Sequence, residues 1–321
     1  MTTRLVALIA ACGQPDLLRR TLRSFADCNK PLGYGGVIVV ENGRRAGLDV
    51  VVGEFGPEHR FQYLFSEPPN KSLALNRALQ CIEGALVVFT DDDVCVPKHT
   101  LVAYADAAER CRDGEFYGGP IVPDYEDEGP PSWLVRYLPR SAAGWKLDLS
   151  AKTPISQPEF IGPNFAAFAG DICRIGGFDT RLGPGRHMVS PGEDTEIQER
   201  LLAGGVRGYY LPDAPMRHFV RRGAASPEFA LERAERNGIY WGISQARQPG
   251  YFPRRWLKIH GQWLNDRWRI ARWRRSADEA TAFRARFAAA RWRGRWTGLR
   301  LGWKWDALSE APDRSIARKA A

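Results

Sequence analysis

Ala85-Leu86-Val87-Val88-Phe89-Thr90-Asp91-Asp92-Asp93 sets an apolar run of strand length directly against three carboxylates. Such a run reads as a strand buried on both faces that ends at a polar site. Towards the N-terminus, residues 5–11, 37–40 and 61–65 read as three further strands. Between them, Leu17, Leu18, Thr21, Leu22 and Phe25 recur at helical spacing over 16–27, and Leu75, Leu79 and Ile82 do so over 72–83. Pro97 is expected to open the next helix at its first position. Strands alternating with helices predict an α/β fold, mainly parallel, with helices on both faces of the sheet. Ligands on such sheets bind beyond the carboxyl ends of the strands, where Asp91, Asp92 and Asp93 would lie.

Like charges gathered at a strand end are costly unless a cation accompanies them. Hard carboxylate oxygens suit Mn2+ or Mg2+, which bind one or two carboxylates together with phosphate oxygens. The competing reading is a solvated acidic turn before Pro97. Further on, residues 120–163 are rich in Pro and Gly and are expected to be irregular structure over the sheet. Residues 180–192 contain Gly183-Pro184-Gly185 and read as a mobile loop, with a helix over 194–203 after it and a short strand over 209–211. Glu193 and Asp194 begin that helix, where acids also serve as caps and complement the dipole. His218, taken alone, reads as a packed histidine.

The chain has 321 residues and a net charge of +9, and the charge is unevenly placed. Residues 253–305 hold 15 Lys or Arg against Asp266, Asp278 and Glu279, a net of +12, and 8 of the 11 Trp. Residues 306–321 balance to zero, so residues 1–252 carry −3. The basic character belongs to a tail. The six Cys are scattered without metal-ligand spacing and read as free thiols in a reducing compartment. Residues 5–11 ahead of Cys12 imitate a lipoprotein signal, but the run is short and preceded by Arg4 alone, so a buried first strand is expected. No apolar run reaches the ~18 residues of a membrane span.

These pieces together resemble the family 2 glycosyltransferases. The resemblance rests on residues 9–22 as opening strand, turn and helix, Val37-Ile38-Val39-Val40-Glu41-Asn42-Gly43 as second strand, and Ser72-Leu73-Ala74-Leu75-Asn76-Arg77-Ala78 as the helix before the metal motif. Val88-Phe89-Thr90-Asp91-Asp92-Asp93 resembles that motif. Residues 164–168, Gly176-Gly177-Phe178-Asp179, Gly192-Glu193-Asp194-Thr195-Glu196, residues 210–214 and His218 follow in the family's order, so the match covers about residues 4–220.

The resemblance implies a Rossmann-like GT-A fold, with a catalytic domain over 1–222 and a helical extension over 223–321. The catalytic domain would comprise a nucleotide-sugar half to about residue 95 and an acceptor half to 222. It implies a metal-dependent, inverting transfer of a sugar from a nucleotide diphosphate donor, a UDP-sugar by expectation, to a hydroxyl of a saccharide or lipid-linked acceptor. Asp93 and His218 would hold Mn2+ or Mg2+. Ala11, Glu41, Ser72, Asn76, Asp91 and Asp92 would serve the donor, Asp194 with Glu193 would supply the base, and Trp133 and Asn164 would line the acceptor side. Saccharide assembly for a bacterial surface polymer follows as a family-level expectation. The usual Pro-Thr-Tyr-Asn-Arg turn is Ala10-Ala11-Cys12-Gly13-Gln14 here, Glu41 stands for the commoner Asp, and Leu75 for a common Arg. Lys71 or Arg77 would supply the missing positive charge.

Residues 253–275 can be drawn as an amphipathic helix with Trp256, Ile259, Trp263 and Ile270 on one side, extended by Leu257 and Leu264. Ser276-Ala277-Asp278-Glu279 reads as a capping box for a second helix that pairs Phe283 with Phe287. Trp and Arg so arranged suit an anionic membrane surface and imply a cytoplasmic protein peripheral on the inner face of the membrane. Packing of these helices on the catalytic domain is the alternative, and a nucleic-acid partner is not expected. Two other functions compete. A nucleotidyltransferase would carry a Gly-rich, Arg-containing loop after the first strand, which residues 10–14 lack. A degenerate glycosyltransferase fold acting as a membrane-bound binding module would not need Asp91, Asp93 and Asp194.

Overall fold

The computed structural model describes residues 2–109, 111, 113–184, 189–248, 256–276 and 278–305. Its central feature is an eight-stranded mixed sheet, in the order β3-β2-β1-β4-β9-β6-β10-β8. β1 (Arg4–Ala11), β2 (Tyr34–Asn42), β3 (Phe61–Ser66) and β4 (Ala85–Asp91) form a parallel half. A second sheet joins β5 (Val94–Cys95), β11 (Met216–Val220) and β7 (Ile121–Tyr125). The remaining strands are β6 (Glu115–Gly118), β8 (Thr153–Ile155), β9 (Phe165–Phe168) and β10 (Arg207–Tyr210).

The period-two alternation of β1 divides the core. Leu5, Ala7, Ile9 and Ala11 face one layer, with Leu18, Leu22 and Phe25 of α1 (Pro15–Asp27), Leu48 and Val51 of α2 (Leu48–Gly53), and Leu101 and Tyr104 of α4 (Thr100–Ala107). Val6, Leu8 and Ala10 face the other, with Ala74, Leu75 and Ala78 of α3 (Lys71–Leu79), Ile172 of α7 (Ala169–Arg174), and Ile197 and Leu201 of α8 (Glu193–Ala203). Helices therefore cover both faces, as the sequence predicts.

Three local expectations change. Pro97 does not open α4; its carbonyl accepts from the Thr100 N–H in a turn, and the helix starts at Thr100. Residues 120–163 are more ordered than their composition suggests, holding β7, β8 and the short helices α5 (Ser132–Val135) and α6 (Arg140–Ala143). Each of those strands contains a proline, Pro123 or Pro154, and each lies at a sheet edge, where a missing N–H is tolerated. Asp278, not Ser276, caps the last helix, its side chain accepting from the Thr281 N–H. Of the loop over 180–192, residues 185–188 lie outside the described residues.

The C-terminal helices are α9 (Pro227–Arg247), α10 (Trp256–Trp273) and α11 (Glu279–Gly302). Gly238 and Gly242 of α9 meet Gly294 and Gly298 of α11, and Gly302 meets Ile243 and Ala246, so closely that a Cβ on Gly294 or Gly298 would overlap the backbone of Glu235 or Ile239. Phe283 and Phe287 of α11 pack on Trp133 and Tyr137, with ring centroids 5.0–5.2 Å apart, so this helix docks on the α5 segment of the sheet-bearing part of the chain. Trp256, Ile259, Trp263 and Ile270 of α10 pack against Trp292, Trp296 and Leu299 of α11. Leu257 and Leu264 do not extend that buried face. They are 60% and 57% exposed and, with Trp268 at 66%, form a separate outward stripe. Part of the basic charge is internal: Arg295 lies 4.2 Å from the Trp241 ring centre and 4.6 Å from that of Trp292.

Gly298→Ala is expected to force α9 and α11 apart and to destabilise the fold by about 1–3 kcal/mol. Gly261→Ala on exposed α10, where nothing lies within 4 Å of an added Cβ, is expected to be neutral or stabilising by up to about 1 kcal/mol. Thermal unfolding of both variants checks the contrast.

Candidate active site

The site forms where β1 and β4 end side by side, with Ala10 of β1 paired to Asp91 of β4. α1 anchors the acidic turn from below. The buried Thr21 hydroxyl lies 2.9 and 2.8 Å from the Asp92 and Val94 carbonyls and accepts from the Val94 N–H at 3.1 Å. Asp92 is buried and accepts from the Cys12 N–H at 3.1 Å. β11 then runs antiparallel to β5, opposing His218 to Val94, and its Phe219 N–H donates to the Asp93 carbonyl at 2.8 Å. That pairing carries His218, which is 125 residues beyond Asp93 in sequence, back to the carboxylates. His218 Nε2 lies 3.4 Å from Asp93 Oδ1.

Asp91, Asp93 and His218 each present a ligand atom within 4.8 Å of the others. Asp93 Oδ1 is buried without a hydrogen-bond partner among the described residues. An orphaned carboxylate oxygen between a second carboxylate and an imidazole fits a divalent cation. Burial, then the neighbouring Asp93 charge, pushes Asp92 up to about 7. Burial, then the Asp91 charge, pushes Asp93 up to about 7. Burial also holds His218 below its ordinary value, so its ring stays neutral and available as a ligand.

Lys71, at the start of α3, donates to Asp91 at 2.5 Å and lies 3.6 Å from Glu193 Oε1. Burial opposes its charge, but Asp91 and Glu193 outweigh that and hold the ammonium above the usual lysine range. Glu193 itself is pushed up by burial. Asp194 accepts from the Gly162 N–H at 2.9 Å and from the Thr195 N–H at 2.8 Å, which fixes its carboxylate at the head of α8. Gly192, just before it, has φ +121°, and a Cβ there would come within 2.6 Å of the Tyr240 ring, so glycine is required on both counts.

These groups share one cavity of about 780 Å3, which also takes in Cys12, Asn42, Arg140, Arg233, Asn237 and Tyr240. Of the residues expected at the site, Asp91, Asp92, Asp93, Glu193, Asp194 and His218 line it. The others are engaged elsewhere. Asn76 donates to the Phe178 carbonyl and accepts from its N–H, and Ser72 donates to the Leu182 carbonyl, so both hold the loop before α8. Glu41 is buried, accepting from the Ala46 N–H at 2.6 Å and the Tyr63 hydroxyl at 2.5 Å. Ala11 is buried and its carbonyl accepts from Asn42. Asn164 is buried between the Tyr104 hydroxyl and the Pro120 and Ala214 carbonyls. Trp133 packs edge-on against Phe283 in a separate surface hollow.

Sequence reading missed Gly162, Arg233, Asn237 and Tyr240. The last three lie on α9, in the stretch expected as an extension, and nothing in a helix's own periodicity reports that its polar side chains line a distant cavity. For Lys71 the sequence suggests only a replacement cation for the donor.

Residues 7–170 match the family model described as Glycosyl transferase family 2. In structure the chain is similar to the mannosyltransferase PcManGT from Pyrobaculum calidifontis in complex with GDP-Man and Mn2+. That match has a TM-score of 0.55 and 18% identity and covers 99% of this chain and 79% of that one. It is also similar to S. aureus TarS in complex with UDP-GlcNAc, at TM-score 0.54 and 15% identity, covering 95% of this chain and 92% of that one. GalNAc-T7 with UDP, GalNAc and Mn2+ gives TM-score 0.56 and 13% identity, over 96% and 58% of the two chains. At these identities the likeness is one of fold. No curated protein matches the chain in sequence.

A cation binding at Asp93 must displace the proton that Asp93 retains below about pH 7. Apparent Mn2+ affinity is therefore expected to fall about tenfold per pH unit and per displaced proton below pH 7, and to level off above pH 8. Titration of Mn2+ followed by electron paramagnetic resonance at pH 6, 7 and 8 checks this, with Asp93→Ala expected to abolish binding.

Proposed function

This chain belongs to glycosyl transferase family 2 and is a glycosyltransferase of the GT-A fold, and on that premise we propose that it transfers a sugar from a nucleotide diphosphate donor to a hydroxyl acceptor with inversion, with a divalent cation bound. The observation that carries this is the meeting of Asp91, Asp93 and His218 with Asp194 in one cavity at the carboxyl ends of the strands.

Asp91, Asp93 and His218 would hold Mn2+ or Mg2+, which when bound stabilises the negative charge that grows on a departing nucleoside diphosphate. Lys71 adds a fixed positive charge beside Asp91. Cys12 and Asn42, at the ends of β1 and β2, give the nucleotide its place. Asp194, oriented by the Gly162 and Thr195 N–H groups, accepts the proton of the acceptor hydroxyl. The acceptor oxygen then forms its bond to the anomeric carbon as the bond to the diphosphate oxygen breaks. A single displacement without a covalent sugar–enzyme intermediate inverts that centre. The relatives in complex with GDP-Man and UDP-GlcNAc make UDP- and GDP-sugars the donors to try first. The product class we propose is a bacterial surface saccharide or glycolipid.

The exposed stripe of Leu257, Leu264 and Trp268 favours a peripheral position on an anionic cytoplasmic membrane face. Exposed Lys258 and Arg272 flank the stripe, and each basic side chain near such a surface adds about 1 kcal/mol of attraction. Among the described residues no helix is long and apolar enough to cross a membrane.

Asp194→Asn is expected to keep its Tm and its stabilisation by nucleotide with Mn2+, while turnover falls on the order of 10²-fold or more. Near-normal turnover would reduce Asp194 to a helix cap. For the membrane, the combined variant Leu257→Gln, Leu264→Gln and Trp268→Gln is expected to lose at least tenfold in co-sedimentation with phosphatidylserine vesicles. Wild-type binding is expected to weaken as salt rises. Wild-type protein that stays in the supernatant at low salt would defeat the membrane reading.

A further inference from the structure

Among the described residues three flexible cations line the catalytic cavity, and two of them are already engaged. Lys71 holds Asp91 and Glu193, and Arg140 pairs with Glu159 at 3.1 Å. Arg233 differs. Among the described residues it has no ion pair or hydrogen bond, and its Nε is buried without an acceptor. Five carboxylates line the same cavity, so an arginine that reaches none of them is held apart from the acidic cluster. Leaving a buried guanidinium N–H unpaired costs about 1–3 kcal/mol or more. An incoming anion that accepts from Nε and a terminal nitrogen together would recover that cost, because the planar fork matches carboxylate and phosphate oxygens.

The position of Arg233 on α9 says which substrate brings the anion. One turn before it, Ala230 packs with Leu134, Leu138 and Ala142. Two turns after it, Tyr240 packs on Gly192 beside the head of α8. Arg233 thus stands on the wall that runs from α6 to the Asp194 end of the cavity. The donor diphosphate has its own counter-charges at the carboxylate–histidine set and Lys71. We propose that Arg233 is the specificity residue of the acceptor subsite and that the acceptor carries a negative charge close to its reacting hydroxyl, as a sugar phosphate or a sugar acid does. This rests on the reading of the cavity as a glycosyltransferase site with Asp194 as base.

The test is calorimetric and uses the full chain. UDP and GDP, each with Mn2+, are titrated into wild type and Arg233→Gln, and the better nucleotide is expected to bind both within twofold. Protein saturated with that nucleotide and Mn2+ is then titrated with glucose 6-phosphate, glucuronate and glucose as probes of the acceptor subsite. At least one of the two anions is expected to bind tenfold or more tightly than glucose in wild type, and that preference is expected to vanish in Arg233→Gln. Arg233→Lys, which keeps the charge but not the fork, is expected to retain part of the preference and carries the test if the Gln variant does not fold. Equal binding of all three probes to wild type, or an anion preference unchanged in the variants, would overturn the proposal. So would a tenfold loss of nucleotide affinity in Arg233→Gln, because the arginine would then serve the donor. Failure of wild type to bind either nucleotide with Mn2+ would instead overturn the donor-site reading, and this inference with it.

Discussion

The structure is organised around the cost of burying like charges. Asp91, Asp92 and Asp93 end a central strand, and burial pushes both Asp92 and Asp93 up to about 7. One lysine, one backbone N–H and one imidazole stand against them, at Asp91, Asp92 and Asp93 respectively. That compensation is incomplete, since Asp93 Oδ1 has no hydrogen-bond partner among the described residues. A stability argument alone would not retain such a cluster, because an apolar turn would fold at lower cost. Much of the surrounding framework serves to hold the carboxylates in place. Thr21 fixes the turn from α1, β5 and β11 bring in His218, and α3 spends Ser72 and Asn76 on the loop that leads to Asp194.

The C-terminal helices belong to the same machine. The glycine contacts between α9 and α11 set the position of α9, and α9 carries Arg233, Asn237 and Tyr240 to the cavity. α11 is fixed in turn by Phe283 and Phe287 on the Trp133 and Tyr137 segment. Closing the cavity from this side places α10 outermost, with one apolar face against α11 and another exposed. The tail's Trp and Arg residues therefore divide their work between packing and the surface.

What could be read from the sequence, and what could not, follows from the range of each interaction. β1, β2, β3, β4, α1 and α3 were legible from local signals, short apolar runs of strand length for the strands and a 3.6-residue apolar period for the helices. The acidic cluster was legible because its three members are adjacent in sequence. Asp194 and His218 could be linked to it only through the ordered resemblance, since each alone reads as a cap or a packed histidine. The resemblance implies donor contacts for Ser72 and Asn76, whereas their side chains bond the backbone of residues 178 and 182, a pairing that no local pattern reports. The resemblance likewise implies an acceptor role for Trp133, whose ring packs on Phe283, 150 residues away. The α10 faces were misdivided because Trp256 and Leu257 are adjacent in sequence, yet one packs on α11 and the other is exposed.

The central claim is that this cluster, with Asp92 buried and Asp91 and Asp93 half-buried, is tolerated because a divalent cation and a nucleotide complete the site. Isothermal titration of UDP and of GDP into the full chain, in Mn2+ and again in excess chelator, tests it most directly. The account predicts that one of the two nucleotides binds at least tenfold more tightly with Mn2+ than in chelator. Equal affinity in both conditions, for a nucleotide that binds, would contradict it.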